Sequence, residues 1–273
     1  YRWSFRTIEP QVIEIKPTRV WLDRWSILRD SAFSVAFTQP MDRESTQAAF
    51  MVEKYIGPFC GDGCSQDPRD WAAIDGYFSW NIENTEMTFT PAELLDYGQP
   101  YNGSYRATLG TGALNAIRAV SLVQPVTTYF RSISKPYVTG ISPTAEDGIS
   151  PGLQTIEIYF SGPMNTETYR GRYTISPTPP GEIIPTIGQD GTTLRLTFDH
   201  ALHETYTVTI LSGIEDLYGA RMETDYSSSY FVRKPKSEKA NYYFDSPEGQ
   251  PLAILGDYLE NQGIPLSVSG EGE

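Results

Sequence analysis

Short runs of alternating apolar and polar residues recur along most of the chain. In Ser34–Phe37 and Ile156–Phe160 every second side chain is larger and apolar. Such alternation predicts strands with one face on a core. Turn-forming residues separate the runs, and no long stretch has the period of a helix. The pattern therefore predicts an all-β chain.

One hexapeptide pattern occurs twice, at Phe37–Asp42 and at Phe160–Asn165. Each copy closes an alternating run and places Pro, Met and a capping Asp or Asn beyond it. This order predicts a strand that turns into a short helix. The capping residue lies eight positions before an aromatic residue in both copies, Phe50 and Tyr173. We interpret the two hexapeptides as the same corner in two copies of one domain.

The elements after the corner also recur in the same order. Each copy continues with a hairpin, an alternating strand and an aromatic closing strand. The pairs are Gly76–Pro91 with Gly181–Phe198, Tyr105–Leu109 with Tyr206–Ile210, and Tyr129–Arg131 with Tyr230–Val232. The closing strands are aligned 101 residues apart, Phe130 on Phe231.

About seven short strands per copy predict two tandem immunoglobulin-like antiparallel β-sandwiches. The first domain spans residues 8–132 and carries an insertion at 54–75, which the second lacks. The second domain spans residues 133–233. Residues 1–7 are interpreted as an N-terminal strand or the closing strand of a preceding module, and 234–273 as a linker and part of a truncated third module.

The repeated motifs resemble those of a known protein family. The two corners, the hairpins and Gly213–Gly219 resemble the bacterial Ig-like domain of S-layer proteins. As a tandem pair they are similar to the N-terminal Ig-like region of large bacterial alpha-2-macroglobulin homologues. The resemblance implies a non-catalytic module within a protease trap, whose thioester segment belongs to another domain. The first copy departs from the family pattern at Gly112–Ala116, where Asn115 replaces the Asp and the second Gly is missing.

The charge and composition of the chain limit the classes of partner that it can bind. The chain has 34 acidic and 21 basic residues, a net charge of -13, which disfavours nucleic acid and anionic lipid surfaces. No apolar run approaches the roughly 18 residues of a membrane span. The sequence begins without Met and inside a strand-like stretch, so we expect a piece of a longer extracellular, cell-surface or periplasmic protein.

Two cysteines, Cys60 and Cys64, lie in the insertion with Gly61 and Gly63 between them. A disulfide closing so small a ring needs flexible residues between its ends. The competing interpretation is a metal site, but two thiolates without nearby His or Cys fall short of the four ligands of zinc. We favour the disulfide, which implies an oxidising compartment.

Four aspartates of the same insertion are calcium candidates: Asp62, Asp67, Asp70 and Asp75. Their spacing does not match a calcium loop, so we favour a solvated acidic loop.

His200 and His203 resemble half of a metal site, but without a third ligand we assign them to a polar connection. We expect no cofactor.

Aromatic residues offer a sugar-stacking alternative. The repeat assigns Trp80 and Tyr105 to the core, whereas Trp71 and Tyr97 remain candidates for ligand binding in loops.

No catalytic motif is recognisable in the sequence. The leading hypothesis is a non-catalytic spacer or docking unit whose partners are neighbouring domains of the same chain, in a parent that traps proteases. The alternative is an adhesion module that binds surface glycans through the insertion. An enzyme built on paired carboxylates is kept as a third hypothesis.

Overall fold

The computed structural model describes residue 2 and residues 8–21, 26–58, 64–98, 104–145 and 148–233. The predictions for residues 1–7, apart from residue 2, and for residues 234–273 therefore lie outside the described residues. Within the described ranges nearly all the regular secondary structure is β-strand, paired antiparallel except where Ser26–Ile27 runs parallel to its neighbour, which confirms the all-β prediction.

The described residues of the first part of the chain form nine strands and one short α-helix. In chain order they are β1 (Val12–Pro17), β2 (Ser26–Ile27), β3 (Phe33–Phe37), α1 (Arg43–Ala49), β4 (Phe50–Tyr55), β5 (Trp71–Ala73), β6 (Gly76–Trp80), β7 (Glu86–Pro91), β8 (Ser104–Leu109) and β9 (Val126–Ser132). They form a four-stranded sheet of order β1-β3-β7-β6 and a five-stranded sheet of order β2-β9-β8-β4-β5. We call this pair of sheets the first sandwich.

The second part repeats this arrangement, with no helix among its described residues. Its strands are β10 (Val138–Ser142), β11 (Gly152–Phe160), β12 (Tyr173–Ser176), β13 (Ile184–Ile187), β14 (Thr193–His200), β15 (Thr205–Ile210) and β16 (Tyr226–Phe231). The sheets have the orders β10-β11-β14-β13 and β12-β15-β16. This second sandwich matches the first strand for strand, except that β2 and β5 have no counterparts among its named strands.

Each sandwich has its own hydrophobic core. The alternating strands supply it: Phe33, Val35 and Phe37 of β3 are buried in the first sandwich, and Ile156, Ile158 and Phe160 of β11 are buried in the second. Trp80 packs against the first core and Tyr105 is 1% exposed, as predicted. No described residue belongs to both cores.

The repeated corner is held by matching backbone hydrogen bonds in both sandwiches. Met41 N–H donates to the Asn84 carbonyl and Met164 N–H donates to the Gly191 carbonyl, both at 2.9 Å. The next residue, Asp42 or Asn165, donates to the strand-like segment that follows β8 or β15. Both methionine side chains are 1% exposed. The two corners are therefore structurally equivalent, as the sequence predicts.

The corner helix forms only in the first copy. Asp42 caps α1 by accepting a hydrogen bond from Ser45 N–H at 3.0 Å. After Asn165 the chain makes turns instead, and Gly171 adopts a φ of 69°. The prediction of a helix at the second corner is wrong. Counted from the capping residue, Gly171 stands where α1 has Ala48, and glycine costs about 1 kcal/mol relative to alanine inside a helix.

The predicted alignment of the closing strands is wrong by one residue. Phe130 lies opposite Tyr105, and Tyr230 lies opposite Tyr206. All four side chains are buried. Phe130 therefore corresponds to Tyr230 rather than to Phe231. A shift of one residue moves a side chain to the opposite face of a sheet, and Phe231 is accordingly 41% exposed.

The extra residue lies in the turn before the closing strand. Asn115 N–H donates to the Val120 carbonyl, whereas Asp216 N–H donates to the Ala220 carbonyl. The turn of the first copy is thus one residue longer.

Despite its departure from the family pattern, the first copy still forms this turn. The Asn115 Oδ1 accepts hydrogen bonds from the N–H groups of Ala119 and Val120. Arg118 takes a left-handed φ of 55° where the second copy has Gly219 at 83°. A short polar side chain and one left-handed residue are enough to close the turn.

The glycine at the second corner provides a test of this packing. A Cβ at Gly191 would lie 2.8 Å from the Met164 carbonyl oxygen, whereas a Cβ at Gly181 would meet nothing within 4 Å. Both glycines have a left-handed φ, so alanine costs about 1–2 kcal/mol at either site. We expect Gly191→Ala to lower the free energy of unfolding by a further 1–3 kcal/mol or so, because the backbone of the corner must shift.

Urea denaturation of the full chain, followed by circular dichroism, measures both variants. An equal loss of stability in Gly191→Ala and Gly181→Ala would contradict a tightly packed corner.

Candidate functional site

The insertion of the first sandwich adds a strand rather than a loop. After a 3₁₀ turn at Pro68–Asp70, β5 pairs with β4, with Trp71 opposite Tyr55 and Ala73 opposite Glu53. The predicted loop at 54–75 is wrong in this part. A three-residue strand is too short to show alternation, so sequence patterns could not reveal it.

Trp71 is a packed residue of this insertion. Its side chain is 6% exposed. The indole makes an edge contact with Tyr55 at 5.1 Å, and the Arg106 guanidinium lies 4.4 Å from its ring centre. The indole N–H donates to the Ser65 carbonyl at 2.9 Å. The ring that the sequence offers for sugar stacking is therefore covered by protein.

An ion pair lies beneath Trp71 on the outer face of the sheet. Arg106 binds Glu53 through two hydrogen bonds, 2.5 Å from Nε and 3.0 Å from Nη2. The two side chains are 14% and 8% exposed. The hydrogen bond with Glu53 raises the pKa of the Arg106 guanidinium above its usual value. At the position of Arg106 the second sandwich has Thr207, which pairs with Ser229.

Only one cysteine of the predicted disulfide, Cys64, lies in the described part of the chain. Cys64 packs against Tyr55 and Trp71. Cys60 lies outside the described residues, so the bond between Cys60 and Cys64 stays a prediction.

The acidic residues of the insertion have local structural roles. Asp67 caps the 3₁₀ turn and binds the Arg69 guanidinium, which lowers the pKa of the Asp67 carboxyl. The main-chain carbonyls of Asp70 and Asp75 accept hydrogen bonds from neighbouring strands and loops. Asp62 lies outside the described residues. Within the described ranges, no group of three His, Cys, Asp or Glu residues is arranged to hold a metal ion.

His200 does not lie in a loop as predicted, because it ends strand β14 inside the second core. It is 3% exposed and stacks on Phe198 with ring centres 4.0 Å apart. Its Nε2 is 2.7 Å from the Tyr230 hydroxyl. Burial lowers the pKa of the His200 imidazole. His203 does lie in the following turn, with a φ of 65°.

Tyr97 contributes to a polar junction between the two sandwiches. Its hydroxyl donates to Asp216 Oδ2 at 2.7 Å, and the Arg29 guanidinium lies 3.9 Å from its ring centre. In the reverse direction, Tyr218 of the second sandwich donates to Asp30 Oδ1 at 2.9 Å. The Arg29 guanidinium also lies 5.5 Å from the Tyr218 ring. We call these five residues the junction cluster.

Burial and hydrogen bonding perturb the tyrosines of the junction cluster. Desolvation, reinforced by the Asp216 carboxylate, raises the pKa of Tyr97 to about 12. Desolvation and the bond to Asp30 also raise the pKa of Tyr218. Both hydroxyls are thus held in their protonated form, the form that donates to a carboxylate.

Main-chain contacts support the junction cluster. Leu95 N–H donates to the Arg29 carbonyl at 2.8 Å, and Arg29 Nε donates to the Leu95 carbonyl at 2.5 Å. Gly98 N–H donates to the Ile133 carbonyl at 2.7 Å. A side chain at Gly98 would collide with the Ser132 carbonyl, so the close approach requires glycine.

Of the junction cluster, the sequence singled out Tyr97 but none of its partners. Asp216 and Tyr218 lie in the Gly213–Gly219 motif, but no role followed from it. One difference between the two copies pointed to this site: Tyr218 stands where the first copy has Ile117, which is 76% exposed. No sequence pattern pointed to Arg29.

A cleft of about 890 Å³ lies beside the junction and is lined by both sandwiches. Its walls include Trp21, Arg131 and Ser132 from the first sandwich, and Tyr137 and Tyr159 from the second.

No candidate membrane-spanning helix is found among the described residues.

The second sandwich matches a known protein-family model. The family model described as "Bacterial Ig-like domain" matches residues 132–232. Residues 132–232 are thus similar to bacterial Ig-like domains. The match starts in the last residue of β9 and ends just after β16, so it covers all the named strands of the second sandwich. A search of the curated proteins gives no match.

Solved structures that a comparison finds similar come from several kinds of protein. The S-layer protein rSbsC(31-844) is 12% identical, with a TM-score of 0.30, over 85% of this chain and 26% of that one. Alpha-2-macroglobulin from Escherichia coli, spanning domains MG0-NIE-MG1, is 7% identical, with a TM-score of 0.33, over 82% and 71%. SGBP-B, from a xyloglucan utilization locus in Bacteroides uniformis, is 11% identical, with a TM-score of 0.28, over 83% and 49%. The chain thus spans about a quarter of the S-layer structure.

The buried ion pair of the insertion yields a matched comparison. Arg106→Ala leaves the Glu53 carboxylate buried without its partner, so we expect a loss of about 3–5 kcal/mol in the free energy of unfolding. The control is Arg195→Ala, which breaks the more exposed pair with Glu157 at 2.7 Å and should cost about 1 kcal/mol or less.

Urea denaturation of the full chain compares the two variants. A loss in Arg106→Ala no larger than that in Arg195→Ala would show that the insertion does not shield this pair from water.

Proposed function

We propose that the chain is a non-catalytic spacer or docking unit that presents two Ig-like sandwiches at a fixed angle within a larger bacterial extracytoplasmic protein. The junction cluster is the observation that carries this proposal. Domains joined by a short linker normally move relative to each other unless their interface is extensive or specific. Here the interface is specific, because each sandwich contributes a tyrosine hydroxyl and a carboxylate.

The junction cluster resists bending in more than one direction. The Tyr97–Asp216 and Tyr218–Asp30 bonds run in opposite senses across the junction. Each joins a hydroxyl to an ionised carboxylate, a class of hydrogen bond worth about 1.5–3 kcal/mol. Arg29 contacts both tyrosine rings, so a change of angle disturbs three contacts together.

A non-catalytic role agrees with the partners of the titratable side chains. His200 binds Tyr230, Glu53 binds Arg106, and Asp216 closes a turn while it binds Tyr97. These groups serve the fold, and this supports a structural role over an enzymatic one.

The proposed parent is a surface, periplasmic or secreted protein that resembles alpha-2-macroglobulin, a trap for proteases. In such a parent the sandwiches provide reach and contacts with neighbouring domains. A Cys-x-x-Gln segment elsewhere in the parent gene is the feature that decides this part of the proposal.

The adhesion hypothesis, with the insertion as a glycan-binding loop, has less support. Trp71 was its main candidate residue, and its ring is covered by Tyr55 and Arg106.

Small-angle X-ray scattering of the full chain tests the fixed angle. We expect the combined variant Arg29→Ala, Tyr97→Phe and Tyr218→Phe to broaden the pair-distance distribution, because it removes both hydroxyl–carboxylate bonds and the contacts of Arg29 with the two rings. The control is Tyr77→Phe, which changes a tyrosine that is 71% exposed on β6. It should leave the distribution unchanged.

Circular dichroism establishes that the combined variant keeps its sandwiches folded. If the folded variant scatters like the wild type, the junction cluster does not set the angle, and a rigid spacer is the wrong function.

A further inference from the structure

The cleft beside the junction has the size of a ligand site. Its volume of about 890 Å³ falls within the range of small-molecule sites in proteins. Both sandwiches contribute walls, and sites of this kind occur preferentially at domain interfaces. The cleft is separate from the insertion and from the side chains of the junction cluster.

Exposed aromatic rings line the cleft on the side of the second sandwich. Tyr137 is 51% exposed and Tyr159 is 37% exposed. The hydroxyl of Tyr159 donates to Glu157 at 2.7 Å, which restrains the ring. Gly140, on the neighbouring strand β10, lies opposite Tyr159, and a Cβ added there would meet nothing within 4 Å. Both rings are therefore partly open to solvent in this wall of the cleft.

The charges of the lining balance. Arg131 and Lys135 supply two cations, and Asp190 and Glu223 supply two anions. Lys135 and Glu223 also form an ion pair at 2.7 Å. A lining of zero formal charge, in a chain of net charge -13, favours a neutral ligand over a polyanion.

Hydroxyl-bearing residues supply most of the remaining polar lining, among them Ser134, Thr139 and Thr192. Ser132 also lines the cleft, but its hydroxyl is buried and has no hydrogen-bond partner within the described part of the chain. A ligand in the cleft therefore meets the other hydroxyls and not this one.

We infer that this cleft binds a neutral oligosaccharide, with sugar rings stacked on Tyr137 and Tyr159. Pyranose rings combine an apolar face, which packs on a tyrosine ring, with hydroxyls around the rim. Those hydroxyls match the serine, threonine and aspartate groups of the lining. Asp190 also lies in the lining; each of its oxygens already accepts one hydrogen bond from Thr192, at 3.1 and 2.9 Å, and has a second lone pair for a sugar hydroxyl.

A glycan array probed with the full chain tests the inference, followed by isothermal titration of the neutral glycans that bind. We expect saturable binding that the double variant Tyr137→Ala and Tyr159→Ala weakens about tenfold or more, because two stacking contacts are lost. Both side chains are partly exposed, so the second sandwich should stay folded, which circular dichroism verifies.

Two control variants distinguish binding in the cleft from binding elsewhere on the chain. Tyr77→Ala removes a more exposed tyrosine on β6, outside the cleft lining, and should leave the Kd unchanged. Trp71→Ala should also leave it unchanged, since Trp71 belongs to the insertion. The inference is overturned if no neutral glycan binds the wild type better than the double variant, if sulfated glycans bind more tightly than neutral ones, or if only Trp71→Ala abolishes binding.

Discussion

The buried methionine corner is the contact on which each sandwich depends. At this point β3 or β11 leaves one sheet and the chain crosses to the other. Met41 or Met164 enters the core, while its N–H binds the hairpin turn of the first sheet. The following N–H binds the segment after β8 or β15, which belongs to the second sheet. The corner thus joins both sheets, and a change there disturbs both.

The junction between the sandwiches is connected to the same corner by a hydrogen bond. Pro163, within it, accepts a hydrogen bond from Leu217 N–H, which fixes the turn that contains Asp216. One oxygen of Asp216 closes the turn and the other accepts from Tyr97. Among the described residues, the equivalent Asn115 side chain has only the first role. An element needed for folding in both copies is used for interdomain contact in one.

Local signals made the strands and corners predictable from the sequence. Asp190-Gly191 predicts a hairpin that the structure contains between β13 and β14, because glycine accepts the left-handed φ of 71° found there. The register of β9 was not predictable in this way. Its adjacent aromatic residues, Tyr129 and Phe130, fit either face, and only the extra residue in the preceding turn decides which one is buried.

Contacts distant in sequence were beyond prediction. Tyr97 and Asp216 are 119 residues apart, and Asp30 and Tyr218 are 188 apart. No periodicity links such residues, and the angle between the sandwiches that brings them together is not encoded in any single stretch. The insertion was identified by comparing the two copies, but the burial of Trp71 depends on Arg106 of a different strand.

Native-state hydrogen exchange, resolved by residue, tests the central role of the corner most directly. The amides of Met41, Asp42, Met164 and Asn165 should exchange only through global unfolding of their own sandwich, because each is bonded to a different part of it. Exchange of these amides at the rates of surface turns, while the strands stay protected, would contradict the account.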